Sequence, residues 1–227
     1  MMGAYYRDLE TISLEELQQV LETGRLLPSE RILREDVPGR IGALASKGIQ
    51  NLKDLHDALR TKKRLQQFAQ QSGLPTEYLT VLRRRAGSYT PRPVPLKKLP
   101  GIEAEHIEQL VASGIKDTKQ LWERAAGLQD RTELAKEAGV PGEVLLELVK
   151  LSDVARAPWV GPAFARLLVD SGVDTIAKLS QQSADGLREQ LIATNAETQV
   201  YRAPVPGGED MAHWLDLVRQ LPVALEE

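Results

Sequence analysis

The chain holds 227 residues, of which 42% are hydrophobic and only 4% aromatic, so leucine, valine, isoleucine and alanine must build its core. It has no cysteine, which excludes disulfides, thiolate metal sites and cysteine nucleophiles. Its net charge of −3 is unevenly spread: residues 34–98 carry fourteen Lys or Arg against five Asp or Glu, between an acidic start and an acidic remainder. Such a block calls for an anionic partner or for contact between unlike parts. No apolar run reaches the roughly 18–20 residues that span a bilayer. The polar opening, Met1 to Glu10, lacks the apolar core of a signal peptide. The expectation is a cytoplasmic protein with no membrane partner.

In chain order, Ser13 followed by Glu16 predicts a capping box for a helix with Leu17, Val20 and Leu21 on one face, ended by Gly24. Pro28-Ser29 opens a second short helix through Ile32 and Leu33. Residues 1–35 thus read as N-terminal capping helices. Residues 36–91 read as a basic hairpin repeat, with Ile41 and Leu44 before Gly48-Ile49, then Leu52 and Leu55, then Gly73-Leu74-Pro75. A shift of 66 residues carries Leu44 onto Leu110, Gly48-Ile49 onto Gly114-Ile115 and Gly73-Leu74-Pro75 onto Gly139-Val140-Pro141. No gap is needed, so residues 92–157 form a second repeat. In it, Gly114 ends one helix as a left-handed cap and Asp117 starts the next. A third, shorter repeat with a closing helix fills 158–227, with Gly172 standing 58 residues after Gly114. Its helices run over 183–194 and through Met211, Trp214, Leu215 and Val218, with a loop from Tyr201 to Gly208.

Pro91, Pro93 and Pro95 alternate between the first two repeats and force an extended connection. Strand patterns are absent except weakly at Gln199–Val205. The fold class expected is all-α, tandem helix-hairpin-helix repeats with capping helices at both ends.

Leu99-Pro100-Gly101-Ile102 and Trp159-Val160-Gly161-Pro162-Ala163 resemble the helix-hairpin-helix module of DNA repair and replication proteins. The order of repeats, the Gly-apolar-Pro second turn and the Pro-rich spacer are similar to an uncharacterised bacterial family of tandem hairpin repeats, a domain of unknown function. The resemblance runs from about Asp8 to Pro222. It implies a phosphate cradle, in which a Gly-apolar-Gly turn brings backbone N–H groups at a helix N-terminus to a phosphate. The chain departs from that pattern. Glu103 replaces the second glycine after Gly101, and Glu105 lies beside it. Trp159 replaces the first glycine before Gly161. In the gap-free register the first repeat has Glu35 and Val37 there. Gly161 and Ala163, with Arg166 as the cation, remain the candidate hairpin phosphate contact.

The other candidate is cationic. Lys62, Lys63, Arg64, Arg83, Arg84, Arg85, Lys97 and Lys98 are the expected nucleic-acid-binding residues. The triplet at 83–85 ends a helix, where cations offset the dipole; the triplet at 62–64 starts one, where they do not. No aromatic residue is interleaved with them to stack bases. His56, in the column of Trp122, and His213 read as structural, His106 as exposed, and Trp122, Trp159 and Trp214 as core anchors. No catalytic motif, metal-ligand spacing or cofactor loop is found, so catalytic residues, metal and cofactors are all expected to be none. The function expected is a non-enzymatic module that binds DNA or RNA, or an adaptor, acting through the basic first repeat. The alternative is an interaction scaffold for another protein or a second copy of the chain, without nucleic acid.

Overall fold

The computed structural model describes residues 4–225. These are all-helical, and the β-pairing among the described residues is limited to two isolated bridges. No helix among them is long and apolar enough to cross a membrane. The chain divides into two compact units, residues 7–90 and residues 4–6 with 91–225.

The smaller unit holds α1 (Leu14–Thr23), α2 (Val37–Ala45), α3 (Leu52–Leu59), α4 (Lys62–Ser72) and α5 (Thr76–Gly87), with a 3-10 turn at Pro28–Arg34. Short side chains start several of these helices by accepting an orphan N–H. Ser13 accepts from the Glu16 N–H, Asn51 from Asp54 and Thr61 from Arg64. The expected capping box is only half present. The Glu16 carboxylate does not return to Ser13 but holds the Arg7 guanidinium at 2.5 and 2.7 Å. Leu44, Leu52, Leu55, Leu59, Leu79 and Leu82 fill the core and are fully buried.

The larger unit holds α6 (Ala104–Ala112), α7 (Thr118–Ala125), α8 (Leu128–Ala138), α9 (Gly142–Val154), α10 (Pro162–Asp170), α11 (Ile176–Ser180), α12 (Ala184–Thr198) and α13 (Gly208–Val218). Adding 66 carries α3 onto α7 and α4 onto α8 end for end, and α2 and α5 onto α6 and α9 to within one residue. Gly48, Gly114 and Gly172, with φ of 83°, 89° and 80°, each follow a helix at a backbone conformation that a Cβ would strain.

One correspondence was not legible in the residues. Leu14 N–H donates to the Gln50 carbonyl and Leu52 N–H to that of Ile12. Likewise Leu96 N–H donates to Lys116 and Thr118 N–H to Val94. Ile12–Leu14 therefore matches Val94–Leu96 at a displacement of 82 rather than 66. The smaller unit carries sixteen extra residues between this bridge and α2, which accommodate α1 and the 28–34 turn.

In place of strand pairing at 199–205, the Asn195 amide exchanges two bonds with the Tyr201 backbone. A buried polar cluster ties both ends of the described chain to the larger unit. Asp153 accepts from Trp122 Nε1, Arg156 Nε and the Ile176 N–H at 2.9, 2.8 and 2.7 Å. The Arg156 guanidinium, fully buried, also donates to the carbonyls of Tyr5 and Pro222. The Tyr5 hydroxyl lies at hydrogen-bond distance from the Thr118 hydroxyl and the Ser152 carbonyl, and burial holds it well above the ordinary phenol range.

Candidate nucleic-acid interface

Gly73-Leu74-Pro75 is the whole connection between α4 and α5, and the two helices pack against each other. The ends remote from that connection carry Lys62, Lys63 and Arg64, in the first turn of α4, and Arg83 and Arg84, in the last turns of α5. Arg60, in the link from α3 to α4, joins them. Arg60, Lys62, Lys63, Arg64 and Arg84 are exposed and Arg83 is half-buried. Among the described residues, Arg60, Lys62, Lys63 and Arg83 make no ion pair. Arg64 is steadied by donating to the Asp57 carbonyl at 2.9 Å, and Arg84 by donating to the Ser29 carbonyl at 3.1 Å. Three cations in the first turn of α4 oppose the helix dipole, so local stability does not account for them.

The rest of the expected set lies elsewhere. Arg85 is only 2% exposed, with Nη1 at 3.4 Å from the equally buried Glu30 carboxylate. Lys97 and Lys98 are exposed on a 3-10 turn, Leu96–Lys98, of the larger unit. Arg60 is the member that the residue pattern missed. Its signal is topological, because it sits in the two-residue link at the cationic end.

At the hairpin candidate, Gly161 is the N-cap of α10 and Ala163 its second residue. Arg166 turns away from that N-terminus. It pairs with Glu147 and, at 2.6 Å, with Asp170. Partial burial disfavours its charge, but the two carboxylates outweigh this and hold it above the ordinary arginine value. The guanidinium lies against Gly101, where a Cβ would stand 2.8 Å from Nη1. Gly101 thus serves both a left-handed turn, φ 83°, and this close approach.

Trp159 is not the core anchor expected. It is half exposed at φ 63°, a strained value for a bulky residue, with its ring 6.1 Å from that of buried His213. His106 is not exposed as expected but half-buried, with Nδ1 at 3.3 Å from Gln109 Oε1. His56 is half-buried beside Asp57.

The sequence signature of a domain of unknown function, DUF4332, matches residues 100–221. The chain belongs to the DUF4332 family. The DUF4332 segment lies wholly within the larger unit and takes in α6 to α13. The cationic end of α4 and α5 lies outside it, in a part of the chain that the DUF4332 signature leaves unmatched. No curated protein and no solved structure matches this DUF4332 chain.

Proposed function

We propose that the chain is a non-enzymatic tandem helix-hairpin-helix repeat protein that binds DNA or RNA through the cationic end of the α4–α5 pair. The repeat reading is supported by the agreement of helix bounds at a displacement of 66 residues and by the recurring glycine turns. The binding reading rests on one observation. Lys62, Lys63 and Arg83, at the ends of α4 and α5 remote from their connection, have no carboxylate partner among the described residues, and α4 would be more stable without the first two. Phosphate oxygens are the ligand that such a cluster satisfies, with release of counterions from the nucleic acid. Phe68, Tyr78 and Tyr89 are buried, so the cationic end offers no exposed ring for stacking.

The test is a binding titration of the whole chain against a duplex and a single strand over a range of salt. Affinity is expected to fall steeply as salt rises, and the triple variant Lys62→Glu, Lys63→Glu, Arg83→Glu is expected to lose binding. Absence of any complex at about 50 mM salt overturns the reading. A second reading, an adaptor that docks another protein, is favoured by half-exposed Trp159 and Leu128 in the larger unit. It predicts that Trp159→Ala, and not the charge reversals, abolishes partner binding.

A further inference from the structure

A groove of about 250 Å³ lies between α3 and α4, lined by Ala58, Arg64, Gln67, Phe68 and Gln71. Arg64, Gln67 and Gln71 stand at spacings of three and four, so they follow one face of α4. The side-chain amides of Gln67 and Gln71 make no hydrogen bond to the protein among the described residues. Phe68, 7% exposed, supplies an apolar floor. Arg64 belongs to the same first turn as Lys62 and Lys63.

The counterpart position in the larger unit is bridged by an ion pair. Displaced by 66, Ala58 becomes Arg124 and Gln71 becomes Glu137, and these two form an ion pair at 2.9 Å. Gln67 becomes Glu133, Arg64 becomes Asp130 and Phe68 becomes Leu134. The same helix frame thus exists in two forms. One is spanned by a salt bridge and lined with carboxylates; the other is opened by an alanine and lined with amides beside cations.

The open form has a definite chemical preference. Amide groups present a donor and an acceptor side by side, which match the edge of a nucleobase. The neighbouring guanidinium and ammonium groups select an anion. The volume is below the roughly 300–1,000 Å³ of sites that enclose a drug-sized molecule, so it suits one flat ring system rather than a whole cofactor. We propose that the α3–α4 groove is a nucleotide subsite. It takes one unstacked base edge-on to Gln67 and Gln71, with the attached phosphate at Arg64 and Lys63. This inference rests on the nucleic-acid reading of the adjoining cationic end. The base comes either from a free nucleotide or from the unpaired end of a nucleic acid.

The experiment follows backbone amide shifts of the full chain during titration with adenosine 5′-monophosphate and, separately, with ribose 5-phosphate, which lacks the base. Saturable shifts confined to α3 and α4 are expected with the nucleotide. Binding is expected to weaken by about tenfold without the base, since each lost hydrogen bond costs severalfold. The double variant Ala58→Arg, Gln71→Glu installs the salt bridge that the counterpart groove already accommodates. It should abolish nucleotide binding while duplex affinity, measured in parallel, is kept. Gln67→Ala, Gln71→Ala leaves the groove open at two exposed positions and should weaken the nucleotide alone. A duplex with a one-nucleotide overhang against the same overhang made abasic distinguishes the two sources. Equal binding of ribose 5-phosphate, or binding unchanged in both double variants, overturns the subsite and leaves the cationic end standing. Nucleotide binding without any nucleic-acid binding overturns the nucleic-acid reading and assigns the groove to a free nucleotide.

Discussion

Helices α5 and α9 are counterparts at a displacement of 66, yet they end on opposite chemistry. The last turns of α9 read Val149-Lys150-Leu151, with both apolar residues fully buried and α10 packed against the helix. The same positions of α5 read Arg83-Arg84-Arg85, and its cover is the 28–34 turn. Where leucine meets an apolar helix in one unit, arginine meets Glu30 in the other. The start of the preceding helix diverges in parallel, Lys62-Lys63-Arg64 in α4 against Leu128-Gln129-Asp130 in α8. The helix frame is held constant while the residues at its end answer to what covers them. Charge left uncovered, as at Lys62, Lys63 and Arg83, is then the feature that the frame itself does not explain.

The comparison can be broken most severely at the buried polar clusters. Arg156→Leu strands the Asp153 carboxylate in the interior and unties Tyr5 and Pro222. The expected loss lies at the top of the about 3–5 kcal/mol range for breaking a buried pair, read by denaturant unfolding. In the smaller unit, Glu30→Leu leaves Arg85 buried without its carboxylate and should cost about 3 kcal/mol. Adding Arg85→Leu, which reproduces Leu151, should recover most of that loss. A double variant as unstable as the single one would show that the covers of α5 and α9 are not equivalent.

Asp174 gives a smaller, pH-dependent effect. Partial burial disfavours its charge, but bonds from Lys150 and Lys178, both at 2.6 Å, outweigh this and hold the carboxyl below its ordinary value of 3.8. A folded value below the unfolded one adds stability that is complete above the unfolded value and is lost as pH falls through the folded one. Asp174→Asn should therefore cost about 1 kcal/mol near neutrality and remove part of the unfolding below pH ~4, followed by thermal melts across pH. The smallest effect carries the opposite sign. Lys62→Glu with Lys63→Glu places carboxylates in the first turn of α4 and should raise stability by about 0.3–1 kcal/mol per site, while binding is lost.

Much of this architecture was legible because its signals are local. Gly114 and Asp117 mark their turn by backbone freedom and capping chemistry, and the alternating prolines mark the passage from Thr90 to Pro91. What escaped depends on partners far along the chain. A run of three arginines reads as one binding surface, but Arg85 is buried and meets Glu30, 55 residues earlier. Asp153 and Arg156 stand three apart, and nothing in that spacing signals that the carbonyls of Tyr5 and Pro222 close over the pair. Trp159 occupies the place of Gly101 at a positive φ that no residue pattern would assign to tryptophan. The groove beside Ala58 is readable in the register, where small alanine shares the column of Arg124, but polar columns alone reveal it, whereas glycines, prolines and leucines mark the repeat.

The central claim is that uncovered charge at the end of α4 and α5 is there for a phosphate backbone. Its most direct test exchanges the start of α4 for that of α8, with Lys62→Leu, Lys63→Gln and Arg64→Asp, and measures duplex and single-strand affinity against salt. The account predicts that the unaltered chain shows log K falling linearly with log salt. The exchanged chain, folded to the same helix content, should lose at least about tenfold in affinity and two or more phosphate contacts' worth of slope. Equal affinity and equal slope for the two chains would contradict it.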